Sequence, residues 1–109
     1  MVRLTSSFWV HAYLARLRLA DIPAFVVAHG DDTAGAVLVK LAYLDGKATC
    51  YQRVTGTDGM RHWAELAAGI EADVDAAIAR QRQFDRDIWI IEVEDRAGRH
   101  LLDEPGLAN

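Results

Sequence analysis

The chain has 109 residues, of which 51% are hydrophobic and 26% charged. That is enough for one domain with a buried core, and it excludes disordered, collagenous and low-complexity chains. Sixteen acidic residues against twelve basic ones leave a net charge of −4, which disfavours nucleic acid held by bulk charge.

The apolar run that begins at Phe8 is interrupted by His11, Arg16 and Arg18, and no Ala-x-Ala cleavage site follows it. No uninterrupted span of about 20 apolar residues exists to cross a membrane. Cys50 is the single cysteine, so an internal disulfide framework is excluded and a reducing compartment fits. The expectation is a cytoplasmic protein without a membrane partner.

The first element is a helix from Thr5 or Ser6 to about Ala20, because a hydroxyl can cap its start and no Gly or Pro interrupts it. Asp21-Ile22-Pro23 ends it, since proline disfavours helical geometry in the residue before it. Phe8, Ala12, Ala15 and Leu19 share one side, and Trp9, Tyr13, Leu17 and Ala20 the neighbouring one. Only Ser7, His11 and Arg18 form a polar stripe. So wide an apolar arc predicts burial on more than one side, or contact with a second subunit.

Three strands are predicted next. Residues 23–29 are short, β-branched and bounded by Pro and Gly, and 30–35 form a loop. Residues 36–44 and 47–54 flank Asp45-Gly46, a hairpin signal for a two-residue turn. That turn places Tyr43 opposite Ala48, Leu41 opposite Cys50, Val39 opposite Gln52 and Val37 opposite Val54 on the core face. Lys40, Tyr51 and Arg53 then share a half-solvated outer face. Residues 55–59 form a loop. Residues 61–66 suit a strand or a helical turn, and the strand continues the meander.

A second helix is predicted over 71–83, with Ile70, Val74, Ala77, Ile78 and Phe84 as its core stripe. Its acids come early and its arginines late, which complements the helix dipole. Residues 87–94 form a strand with Trp89, Ile91 and Val93 on one face. A turn follows over 95–99, then a short returning strand at His100-Leu101-Leu102, then a tail over 103–109. The order α-β-β-β-(β)-α-β-(β) predicts a single two-layer α+β domain over residues 1–102. It has an antiparallel meander sheet with two helices on one face.

Two motifs stand near the ends of this pattern: Arg3-Leu4-Thr5-Ser6-x-Phe8-Trp9-Val10-x-Ala12, and Phe84-Asp85-x-Asp87-x-Trp89-x-x-Glu92-x-Glu94-Asp95. Together they resemble an uncharacterised alphaproteobacterial family of similar length, carried as a numbered domain of unknown function. Arg86 stands where proline is expected in that family's second motif. The resemblance implies a small, stand-alone bacterial cytoplasmic domain, and it carries no catalytic residue with it.

Several groups of residues are candidates for chemistry. His29 beside Asp31 and Asp32 is a potential metal-ligating set, against an ordinary Asx-rich turn after a strand. Asp85, Asp87, Glu92, Glu94 and Asp95 form the densest acidic group. Glu92 and Glu94 stand about 7 Å apart on one strand face, too far to share an ion without a third ligand. His11, His29, His62 and His100 show no local metal-pair spacing. Cys50 falls on the apolar face, where a thiol is inert. The loop over 30–35 has two glycines but leads into a strand, unlike a phosphate-binding loop. Lys40, Tyr51 and Arg53 offer a polar sheet-face contact of one aromatic and two cations. Trp9, Tyr13, Met60 and Trp63 are candidates for an interface, where Trp and Met are enriched.

No catalytic motif is present, which weighs against an enzyme. The expected function is a non-catalytic interaction or regulatory module, acting as a homodimer or with another cytoplasmic protein and without a cofactor. One alternative is a metal-dependent nucleic-acid-processing enzyme, by analogy of fold order alone. That chemistry needs a carboxylate on the third strand, which Thr49-Cys50-Tyr51-Gln52-Arg53 lacks. The other alternative is a small-ligand-binding domain.

Overall fold

Thr5 starts the first helix, α1 (Ser6–Leu19), its hydroxyl oxygen accepting from the Phe8 N–H at 3.2 Å. The structure, a computed structural model, describes residues 4–108. Arg3 of the first motif and Asn109 of the expected tail lie outside the described residues. The strands are β1 (Ala24–Ala28), β2 (Val37–Ala42), β3 (Lys47–Thr55), β4 (Arg61–Ile70) and β5 (Trp89–Glu94), and α2 (Glu71–Phe84) precedes the last of them. The ambiguous segment near Trp63 is a strand, as the meander required.

The five strands form one sheet in the order β1-β5-β2-β3-β4. β2, β3 and β4 make the expected antiparallel meander. The chain then crosses through α2 and inserts β5 between β1 and β2, parallel to β2 and antiparallel to β1. The fold is α+β as expected, and the sheet is mixed.

The helices cover opposite faces of the sheet instead of sharing one. Trp9, Val10, Tyr13 and Leu17 of α1 pack on Val37, Val39, Leu41, Trp89, Ile91 and Val93. Val74 and Ile78 of α2 pack on Leu38, Ala48, Cys50, Ile88 and Ile90. The cause lies in β2 and β5, which are apolar on both faces. All six residues of β2 are buried, and a strand of that kind needs cover above and below. A two-layer arrangement would leave Leu38 and Ile90 in water. The helices are consequently narrower in their burial than expected. Phe8 and Leu19 of α1 are exposed, as are Ile70 and Phe84 of the supposed α2 stripe.

The β2–β3 register is one residue away from the expected one: Ala42 faces Ala48, Lys40 faces Cys50 and Val39 faces Tyr51. The connection is a three-residue turn with left-handed geometry at Leu44 (φ 64°) and Gly46 (φ 90°). The Tyr43 N–H donates to the Lys47 carbonyl at 3.1 Å, and the Asp45 carboxylate accepts from the Lys47 N–H at 3.0 Å. The slip costs little because both sheet faces are buried, so neither register turns an oily side to solvent. Its consequence is that Tyr51 and Arg53 leave the face of Lys40 and lie beneath α1.

The C-terminal segment is neither a strand nor a tail. Leu101 takes a left-handed conformation (φ 61°), and the Tyr13 hydroxyl donates to the His100 carbonyl at 2.8 Å. Leu102 and Leu107 are both buried in the core beneath α1. The Trp63 indole N–H donates to the Leu107 carbonyl at 2.9 Å, which ties the end of the chain to β4.

Candidate functional site at the β1 edge

β1 is an outer strand, and its sequence Ala24-Phe25-Val26-Val27-Ala28 has no charged side chain. Phe25, Val26 and Val27 are 52%, 43% and 56% exposed. The other outer strand, β4, carries Arg61 and Glu65 along its length. Charges of that kind discourage edge-to-edge pairing. β1 lacks that protection, although it is short and its pairing with β5 is interrupted by a bulge between Val26 and Ala28.

Beside β1, on the α2 face, lies a hollow of about 140 Å³ lined by Val27, Ile78, Ala79 and Ile90, with Lys40, Asp75, Arg82 and Glu92 around them. The Lys40 side chain is only 7% exposed, and its ammonium meets three carboxylates: Glu71 at 2.7 Å, Asp75 at 2.7 Å and Glu92 at 3.0 Å. Glu92 stands opposite Lys40 on β5. Glu71 and Asp75 are four residues apart in the first turns of α2, so both reach down the same helix face. Burial works against the ammonium charge, but the three carboxylates outweigh it and hold the lysine above its ordinary range. The lysine therefore stays protonated, so it is suited to neither base nor nucleophile chemistry. The cluster bolts α2 to the sheet and gives the hollow a polar end.

The structure disperses several expected groups. The set His29, Asp31 and Asp32 does not converge on a metal position. His29 Nε2 pairs with Asp32 at 2.8 Å, and its ring lies on Trp89 with centroids 4.0 Å apart. The Asp31 carboxylate instead accepts from the N–H groups of Thr33 and Ala34. Among the described residues no group of three or more His, Cys, Asp or Glu is placed to hold a metal ion. Gly30 and Gly35 serve close packing, since a Cβ on either would collide with the Asp87 carbonyl. The late acids also separate: Asp85 accepts from the Asp87 N–H, Glu92 meets Lys40, and Asp95 pairs with Arg99.

The interface candidates divide. Trp9 and Tyr13 are core residues, with rings stacked at 4.9 Å. Trp63 is half-buried against Trp9 at 5.2 Å, and Met60 is exposed on the loop before β4. The polar sheet-face set is split, with Lys40 under α2 and Tyr51 and Arg53 under α1. The register slip is the reason. Cys50 is buried, and burial pushes its thiol up to about 12 against the opposing pull of Lys40.

Two features escaped the sequence reading. Glu71 and Asp75 show a signal in retrospect: acids at helical spacing, downstream of a lone lysine inside the apolar run Val37-Leu38-Val39-Lys40-Leu41. The openness of β1 had no local signal, because it follows from β5 inserting on one side of it only.

Among the described residues no helix is long and apolar enough to cross a membrane. None of the curated proteins matches the chain. Among solved structures, the crystal structure of a DUF1491 family protein from Caulobacter crescentus CB15 is 41% identical. It covers 94% of this chain and 98% of that one, with a TM-score of 0.86. An NMR structure of a DUF1491 family protein from the same organism is 40% identical over 96% of this chain and 97% of that one, with a TM-score of 0.83. A solution structure of an A. tumefaciens protein is 28% identical over 85% and 86% of the two chains, with a TM-score of 0.73. The model of the family described as a protein of unknown function, DUF1491, matches residues 4–103, and the chain belongs to that family.

Proposed function

We propose that this protein is a non-catalytic interaction module of the bacterial cytoplasm that pairs with a second copy of itself through β1. The observation that carries this is the unprotected β1 edge, apolar throughout and exposed at its three central residues. An outer strand offers a row of main-chain donors and acceptors to an incoming strand. Its sequence reads nearly alike in both directions. Antiparallel pairing about Val26 sets Ala24 opposite Ala28 and Phe25 opposite Val27 of the other copy. Apolar meets apolar at each position, and a two-fold axis closes the pair. Phe25 of one copy then stands beside Val27 of the other, at the mouth of the hollow. The kinship with Caulobacter and A. tumefaciens proteins supports the bacterial setting, and a single buried cysteine suits a reducing compartment.

A strand of five residues is short for a standard interface of roughly 800 Å² per partner, so the pair exchanges with monomer. Light scattering across a concentration series tests it. The mass rises from 12.1 kDa toward twice that value as concentration increases. Val26→Glu holds the protein at the monomer mass, while Met60→Glu, in the loop before the other outer strand, leaves the rise intact. A mass that stays at 12.1 kDa up to the highest soluble concentration overturns the proposal.

A further inference from the structure

The hollow between β1 and α2 has a volume of about 140 Å³, and an apolar protein cavity of about 150 Å³ takes up one benzene molecule. We propose that the hollow receives the Phe25 ring of a second copy, and that this ring, more than the strand itself, decides which chain β1 accepts. The contact presupposes the β1 pairing proposed above and makes that pairing selective.

Main-chain bonds along an edge strand give affinity for almost any extended segment, and selectivity comes from pockets that receive alternate side chains. Alternation along β1 decides which side chains are placed to do this. Val26 faces Ile91, a core residue beneath α1. Phe25 faces Glu92, whose carboxylate reaches Lys40 on the α2 side. Phe25 therefore stands on the α2 side of the sheet, as does Val27, which lines the hollow. Phe25 is 52% exposed and is not among the residues that line the hollow of its own chain. In the two-fold pair centred on Val26, the other copy's Phe25 stands opposite Val27. Side chains so placed have Cβ atoms about 5 Å apart. The ring thus projects on the same face as the hollow and beside it.

The lining suits a ring without charge. Ile78 and Ile90 line the hollow from the core, and Ala79 lines it from the exposed side of α2. The short Ala79 side chain leaves space that a longer one would take. At the polar end Lys40 is already paired with Asp75 and Glu92, so no charge there calls for a charged occupant. Arg82 also lines the hollow, and its guanidinium has no ion pair or hydrogen bond among the described residues. It is placed to lie over a seated ring as a cation–π partner.

The test combines light scattering with isotope-filtered NOE spectroscopy on a mixture of labelled and unlabelled full-length chains. NOEs are expected from the Phe25 ring of one chain to the Ile78 and Ile90 methyl groups of the other. Phe25→Ala removes the ring and Ala79→Leu fills the hollow. Each weakens the pair by about tenfold or more, as loss of a buried Phe side chain predicts. Both positions are exposed, so the amide spectra of the variants remain those of a folded chain. Mixing the two variants restores association beyond that of either alone, because the mixed pair brings one ring to one open hollow. A parent mass that stays at 12.1 kDa overturns the β1 pairing and this contact with it. A parent that pairs without those NOEs, with Ala79→Leu pairing equally well, or without rescue in the mixture, overturns the ring contact and leaves the β1 pairing standing.

Discussion

Lys40 and Glu92 face each other across the parallel β2–β5 pairing, with ammonium and carboxylate 3.0 Å apart and the lysine side chain 7% exposed. Two further carboxylates, Glu71 and Asp75, close on the same ammonium from α2. Removing the lysine leaves three like charges around a buried void. Lys40→Met is expected to cost about 2–4 kcal/mol, the range for breaking a buried pair, lowered because the carboxylates are partly in water. Adding Glu92→Gln to Lys40→Met recovers part of that loss, since it removes the most buried of the stranded charges. Urea denaturation of the two single variants and the double variant checks both statements.

Leu107 lies five residues beyond Leu102, inside the segment that reads as a tail in the sequence, yet it is 2% exposed. Its side chain fills the core under α1, and its carbonyl receives the Trp63 indole N–H. Leu107→Ala is expected to destabilise the fold by about 2–4 kcal/mol. Glu104→Gln, which breaks the exposed pair with Arg16, changes stability by about 0–1 kcal/mol. Thermal or urea unfolding distinguishes a packed C-terminal segment from a loose one.

His100 supplies a pH dependence. Burial lowers its basicity against the opposing pull of Asp103, and its Nδ1 accepts the Leu102 N–H at 2.9 Å, which requires an unprotonated nitrogen. The folded value thus lies below the ordinary 6.5, so the unfolded chain takes up the proton first as pH falls. This contribution to stability is complete above pH 6.5 and declines below it. Melting temperature measured against pH is expected to fall more steeply on the acid side in the parent than in His100→Gln.

Cys50 is expected to resist alkylation. Its thiol is buried and shifted up to about 12, so at pH 8 the reactive thiolate is scarce and shielded. Iodoacetamide leaves the native protein unlabelled at that pH and labels it in urea, as mass spectrometry reports.

The elements were legible in the sequence to the extent that their signals are local. Thr5 before an unbroken run marked α1, Asp45-Gly46 marked the β2–β3 turn, and Trp89, Ile91 and Val93 alternated as a strand must. The candidate site was less legible. Val26 and its neighbours read as a strand, but whether a strand lies inside a sheet or at its edge depends on what pairs beside it. Lys40 read as solvated because one face of the sheet was assumed to be open.

By itself the sequence determined the two helices and the strands β1, β2, β3 and β5, that the class is α+β, and that Cys50, Leu41 and Trp89 are buried, because hydrophobic period and turn chemistry act over a few residues. The tertiary structure decided the strand order, the placement of the helices on opposite faces, the β2–β3 register and the burial of Leu107. Those outcomes depend on contacts between residues distant along the chain: two strands apolar on both sides require cover on both sides, and only the assembled sheet shows which segments supply it.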